Sequence, residues 1–217
     1  MKFKAAIFDM DGVVVDSEYY WQKFESKIFE RLGVDVNQEF KDKIVGLGIS
    51  SIVKLLNEEY GIKISADEYA SEIYDDAKEI YLKHCNLIPG VIELLDLLKN
   101  KSIQLSLASA SPQDWVDMAV NRFGLKKYFP LTLSTRTMQI PPKPDPAVFI
   151  RAMEEMAVSP NTTIIFEDSS HGVLAGSRSG ATVVAVKDGR WPTGDIGTAD
   201  LVIKSFEDEK LREFLAI

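Results

Sequence analysis

The stretch Ala5-Ala6-Ile7-Phe8-Asp9-Met10-Asp11-Gly12-Val13-Val14-Val15-Asp16-Ser17 decides how the chain reads. An apolar run stops on Asp9, and a second acid follows two residues later. A strand that ends in Asp-x-Asp-Gly aims two carboxylates, and the backbone between them, at one small volume. Such acids can share a divalent cation and divide nucleophilic and proton-transfer roles. Read alone, acids and glycine are also ordinary loop-forming residues. A calcium-binding EF-hand loop is excluded by spacing: with Gly12 at loop position six, position one would be Ile7.

The rest of the composition narrows the setting. The 217 residues suffice for one large domain, or a domain with a smaller insertion. Lys and Arg number 25 against 33 Asp and Glu, a net charge of −8. That balance argues against a nucleic-acid or anionic-membrane surface, while leaving room for a locally positive pocket. Cys85 is the one cysteine, so no internal disulfide forms and a reducing compartment is expected. Asp9 and Asp11 interrupt any signal-peptide core, and no apolar run approaches the roughly 18 residues of a membrane helix. The expected location is cytoplasmic.

Outward from the first strand, short apolar segments recur at 103–108, 162–166, 182–186 and 200–203, with a weaker one near 130–134. Helical patterns alternate with them from residue 89 onward. That rhythm predicts a doubly wound, mostly parallel α/β sheet of Rossmann-like class. Residues 17–87 break it and read as helices only. Trp21, Phe24, Ile28 and Leu32 share one helical face, and so do Ile52, Leu55, Leu56 and Tyr60. Ser65-x-x-Glu68 reads as a capping box, followed by Tyr69, Ile73, Ala77 and Tyr81 at four-residue spacing. An all-helical cap over 17–87, inserted into a core of 1–16 plus 88–217, is therefore expected. Its crossings fall near 15–18 and 84–90.

Ligands of parallel α/β sheets bind outside the carboxyl ends of the strands. Asp9 and Asp11 follow the first strand. Ser109, Ala110 and Ser111 follow the second, just before Pro112 opens a helix. A hydroxyl and free N–H groups there suit a phosphate oxygen. Glu167, Asp168 and Ser169 follow the strand at 162–166, where capping of the next helix is the competing role. Prolines on both sides of Lys143 aim its ammonium. If Asp9, Glu167 and Asp168 converge on a phosphate dianion, the site holds about −5 against the +1 of Lys143. Each like-charge pair repels by about 4 kcal/mol at 4 Å in an effective dielectric near 20. A divalent cation relieves this, and hard oxygen ligands select Mg²⁺ over zinc. The implied chemistry is phosphoryl transfer, with Asp9 as nucleophile and Asp11 as acid and base.

Together these segments resemble the haloacid dehalogenase superfamily, and within it the β-phosphoglucomutase-like phosphatases. The resemblance covers essentially the whole chain. It is carried by Phe8-Asp9-Met10-Asp11-Gly12-Val13 with Asp16-Ser17-Glu18, by Leu107-Ala108-Ser109-Ala110-Ser111, by Lys143-Pro144-Asp145-Pro146, and by Glu167-Asp168-Ser169 with Gly172, Ala175 and Gly180. It implies that Ser109, the Ala110 backbone and Lys143 hold the phosphate. It also implies that Mg²⁺ binds the Asp9 carboxylate, the Asp11 carbonyl and Asp168, with Glu167 in or beside its shell. The expected partner is a small phosphorylated sugar or polyol met by a monomer.

Asp11 marks an oxygen leaving group, which needs a proton that a halide does not. The mutases of this group carry an arginine where this chain has Val45-Gly46-Leu47-Gly48-Ile49, and a histidine near the place of Trp21. The chain looks closer to the 2-deoxyglucose-6-phosphate and hexitol phosphatase branch. A phosphosugar isomerase is the alternative. A non-catalytic phosphosugar-binding protein is a third reading, which loss of Asp9, Asp11 or Lys143 would mark. Trp191, in the glycine-rich stretch 188–197, reads as a surface anchor or part of the site rim. His84 reads as packing or partly exposed.

Overall fold

The β1 strand (Ala5–Phe8) is buried on both faces, which places it at the centre of a sheet. The structure, a computed structural model, describes residues 2–216. After β1 come five helices: α1 (Ser17–Arg31), α2 (Gln38–Ile44), α3 (Ile49–Tyr60), α4 (Ala66–Glu72) and α5 (Tyr74–Glu79). A π-helical turn, Ile80–His84, closes this set. The α/β rhythm then runs α6 (Val91–Asn100), β2 (Gln104–Ser109), α7 (Gln113–Arg122), β3 (Leu131–Ser134), α8 (Thr135–Met138), α9 (Ala147–Glu155), β4 (Thr163–Glu167), α10 (Ser170–Arg178), β5 (Thr182–Val186), β6 (Leu201–Ile203) and α11 (Glu209–Leu215).

The six strands lie in the order β3-β2-β1-β4-β5-β6, every neighbouring pair parallel. The expected class is met, and the sheet is wholly rather than mostly parallel among the described residues. Alternation along β1 explains the double winding. Ala6 and Phe8 pack into the larger apolar cluster, whereas Ala5 and Ile7 face Val148, Phe149 and Ala152 of α9. The chain leaves β1 in one direction through β2 and β3, and returns to its other side at β4. The crevice between β1 and β4 is thus the topological switch point where such sheets bind ligands.

Helix α3 packs on α4 and α4 on α5, while the π-helical turn packs on α1 and α7, and Phe29 of α1 meets Phe40 of α2 edge to face. Stacking of Trp21 on Trp115, with ring centroids 5.2 Å apart, joins α1 to α7. The Ser65 capping box forms as expected: Ser65 Oγ accepts from Glu68 N–H, and the Glu68 carboxylate accepts from Ser65 N–H at 2.8 Å. Tyr69, Ile73, Ala77 and Tyr81 are all buried, yet they do not share one helix. The helix breaks at Ile73, whose φ of −98° and ψ of 6° leave the α region. The Cys85 N–H then bonds the Ile80 carbonyl five residues back, which rephases the last turn.

The two crossings between helical segment and sheet run side by side. Asp16 N–H bonds the Asn86 carbonyl at 2.9 Å, and Ile88 N–H bonds the Val14 carbonyl at 3.0 Å. Asp16 precedes α1 as an N-cap residue would, but its carboxylate does not cap. It accepts instead from Asn86 N–H at 2.6 Å and from Arg190 at 3.1 Å. Among the described residues no helix is long and apolar enough to cross a membrane.

Candidate active site

Strand ends bring the sequence-picked groups together. Asp9 leaves β1 and is almost fully buried, as are Glu167 at the end of β4, Asp168 just after it and Lys143 before α9. The Lys143 ammonium donates to Asp9, to Glu167 at 2.5 Å and to the Ala108 carbonyl at 3.1 Å. These three acceptors match its three donors. Burial alone would lower the Lys143 pKa, and the facing Asp9 and Glu167 carboxylates outweigh it and hold it above a free lysine's. Burial raises the Asp9 carboxyl well above the usual range; Lys143 opposes this, while Glu167 and Asp11 add to it. Asp168 is raised in the same way, by burial first and then by Glu167.

Asp9, Glu167 and Asp168 each bring one carboxylate oxygen within 4.8 Å of the others. With all three ionised and Lys143 protonated, the cluster carries −2. A divalent cation fits both that charge and the all-oxygen donor set. Trp191 does not anchor a surface: it is buried, and its indole N–H donates to Asp168 Oδ2 at 2.8 Å. Ser169 does cap α10, its Oγ accepting from Gly172 N–H at 3.1 Å. The capping role and the acidic site therefore coexist, on adjacent residues.

Asp11 sits apart from this cluster. Its Oδ1 accepts from the Ser17 hydroxyl at 2.5 Å and the Tyr81 phenol at 2.6 Å, and its Oδ2 from the Ser111 hydroxyl at 2.8 Å. Trp21 N–H in turn donates to the Tyr81 oxygen at 3.2 Å. Burial and the Asp11 carboxylate raise the Tyr81 pKa, so the phenol remains a donor. Sequence reading missed Tyr81 in this role. Periodicity shows only that it is buried, and the π-helical turn settles where its hydroxyl goes. Ser109 is fully buried at the end of β2, where its oxygen accepts from Ser111 N–H at 3.0 Å. Its own hydroxyl proton has no acceptor among the described residues.

Two glycines let the walls close. Gly12, at φ +77°, lies so near Asp168 that a Cβ would meet its Oδ2 at 2.0 Å. Gly46, at φ +71°, presses the segment before α3 onto the core, where a Cβ would lie 2.3 Å from that of Ser169. Gly46→Ala is therefore expected to lift residues 45–49 off Ser169 at a cost of about 1 kcal/mol or more. Faster amide hydrogen exchange in 45–49, with sheet amides unchanged, is the expected reading.

The cavity beside these groups holds about 100 Å³, which suits the end of a small molecule. Asp9, Asp11, Lys143, Asp168, Ala110 and Ser111 line it. Helices α1 to α4 supply further lining residues, among them Glu18, Trp21 and Glu25. Neither His84 nor His171 lines it; His84 stacks on Tyr20 with centroids 5.8 Å apart.

Glu25 is raised to about 7, chiefly by burial, with Lys41 pulling down and Asp42 pushing up. Glu18 and Tyr69 face it as well. The folded state thus holds this proton more tightly than the unfolded chain, where glutamate titrates near 4.5. The associated stability is full below pH 4.5 and is lost as pH rises through about 7. Glu25→Gln is expected to remove that slope. In denaturant titrations the variant matches wild type near pH 4.5 and exceeds it at pH 8.

A buried carboxylate–ammonium cluster at the switch point of a parallel sheet defines an enzyme that handles a small anionic group. The haloacid dehalogenase-like hydrolase profile matches residues 6–186. A phosphorylated carbohydrates phosphatase of Thermotoga maritima is 30% identical over 177 residues, covering 82% of each chain. Hexitol phosphatase B of Escherichia coli K12 is 30% identical over 213 residues, covering 94% of this chain and 95% of the relative. In structure, β-phosphoglucomutase of Clostridium difficile superposes with a TM-score of 0.78 at 24% identity, over 99% of this chain and all of that one. The chain belongs to the haloacid dehalogenase-like hydrolase family. Within it the chain is a phosphoric monoester hydrolase.

Proposed function

We propose that the enzyme hydrolyses the phosphate monoester of a small sugar or polyol through an aspartyl phosphate on Asp9. The observation that carries this is the division of labour between the two acids. Asp9 is buried against Lys143 within the acidic triad, whereas Asp11 lies outside that triad and is held by three hydroxyls. The names of the two curated phosphatases support the substrate class.

An Asp9 oxygen attacks phosphorus, and the ester P–O bond breaks as the Asp11 carboxyl donates its proton to the leaving oxygen. Asp11, now ionised, takes a proton from the water that attacks the phosphorus of the acyl phosphate. That step releases inorganic phosphate and regenerates Asp9. Lys143, Ser109 and the Ala110 backbone orient the phosphoryl oxygens. Asp9, Asp168, Glu167 and the Asp11 carbonyl are proposed to hold Mg²⁺, which supplies charge neutralisation for the dianion. Residues 17–87 act as a cap that excludes water, closing about the paired crossings at 15–18 and 84–90. The enzyme works as a cytoplasmic monomer.

A phosphate-release panel of sugar and polyol monophosphates tests this. Turnover with Mg²⁺ that stops with a chelator and returns with Mg²⁺ is expected; absence of turnover on every ester would overturn it. Trp191 gives a finer check, because it orients a proposed metal ligand. Trp191→Phe is expected to raise the Mg²⁺ concentration for half-maximal rate by about 10-fold or more, with the rate at saturating Mg²⁺ much less affected.

A further inference from the structure

The cavity also carries carboxylates without partners, outside the Asp9–Lys143–Glu167 cluster. Glu18, Trp21, Glu25 and Ile28 occupy one face of α1 at spacings of three, four and three, and all line the cavity. Neither Glu18 nor Glu25 has a hydrogen-bond or ion-pair partner among the described residues. Lys41, a cation that acts on Glu25, donates instead to the Ser26 hydroxyl at 3.0 Å. Lys143 is the one cation lining the cavity among the described residues, and its three donors are spent on Asp9, Glu167 and Ala108. Both side chains are partly buried, and a carboxylate drawn out of water with nothing to accept from costs stability. Here the cost falls in the space where the leaving group must sit.

We infer that Glu25, with Glu18, is the specificity device of the site: the two carboxylates accept hydrogen bonds from hydroxyls of a neutral polyhydroxyl leaving group and reject a second anionic group. This rests on the phosphatase reading above and sharpens it. A monophosphate with a hydroxylated remainder satisfies both carboxylates. A second phosphate, or a carboxylate on the remainder, meets two acidic side chains and no free cation among the lining residues. A mutase must hold a bisphosphate across this same chamber, so the arrangement also disfavours the isomerase alternative. The apolar lining residues Ile28, Ile44 and Ile52 suit the C–H face of a polyol.

The test uses matched substrates. Glycerol 3-phosphate and 3-phosphoglycerate differ at a terminal hydroxymethyl against a carboxylate. Glucose 6-phosphate and glucose 1,6-bisphosphate differ by the second phosphate. Wild type is expected to favour the neutral member of each pair by about 100-fold or more in kcat/KM, in line with sites that read a hydroxyl by hydrogen bonding. Glu25→Gln is expected to narrow that ratio at least tenfold, mainly by raising KM for the neutral member. A purely structural role for Glu25 would change stability and leave the ratio alone. Near-equal use of both members by wild type, or an unchanged ratio in a folded Glu25→Gln, overturns the inference while the phosphatase reading stands. Failure of wild type on every monoester overturns that reading instead.

Discussion

The Asp9→Asn variant is expected to fold as wild type does and to lose phosphomonoester turnover by at least about 10,000-fold, roughly 5.5 kcal/mol of barrier. An amide keeps the shape of the side chain but is not a nucleophile towards phosphorus. Folding should survive, because Asp9 is a buried acid pressed by the Glu167 and Asp11 carboxylates. Removing its charge relieves that repulsion, and Lys143 keeps Glu167 as its partner. Phosphate release measured beside thermal unfolding separates the two effects. A folded variant that retains a tenth of the wild-type rate would contradict the assignment of the nucleophile.

The second large effect is on stability as well as rate. Lys143→Met deletes the ammonium between Asp9 and Glu167 and leaves both carboxylates buried without their shared donor. Breaking a buried pair from one side costs about 3–5 kcal/mol. The expected loss is therefore of that size at pH 7, together with near-complete loss of activity. The pH dependence follows from the sign of the charge removed. Without Lys143 the Asp9 carboxyl rises further, so the variant binds more protons folded than unfolded in the acidic range. Its deficit against wild type should shrink as pH falls towards the ordinary carboxylate range and be largest at neutral pH. Denaturant titrations at several pH values read this directly. A deficit that grows on acidification would contradict the buried ion-pair geometry.

Much of this was legible in the chain, for identifiable reasons. Each strand of the sheet is a short apolar run bounded by polar or turn residues. Asp9, Ser109 and Glu167-Asp168 stand where such runs end, so their convergence follows from the parallel sheet. Lys143 was legible through its flanking prolines. What escaped depends on rotation and enclosure, which periodicity does not carry. Tyr81 belongs to a helical face in the sequence, and its hydroxyl reaches Asp11 through a π-helical turn. Asp16 resembles an N-cap, yet its carboxylate ties the two crossings together. Trp191 lies in a glycine-rich loop that gives no sign of its hydrogen bond to Asp168. Glu25 looks like any surface glutamate of an amphipathic helix until the cavity beside it is seen.

The central claim is that the phosphoryl group passes through Asp9, and trapping that group tests it most directly. Wild type and an Asp11→Asn variant, mixed with a turned-over sugar phosphate and Mg²⁺, are quenched in acid within the first turnover and mapped by peptide mass. The account predicts one added phosphoryl group on the peptide carrying Asp9, accumulating more in Asp11→Asn if that variant still completes the first transfer, and absent from Asp9→Asn. Phosphate released by wild type in that turnover, with no acid-labile phosphoryl group ever found on Asp9, would contradict it.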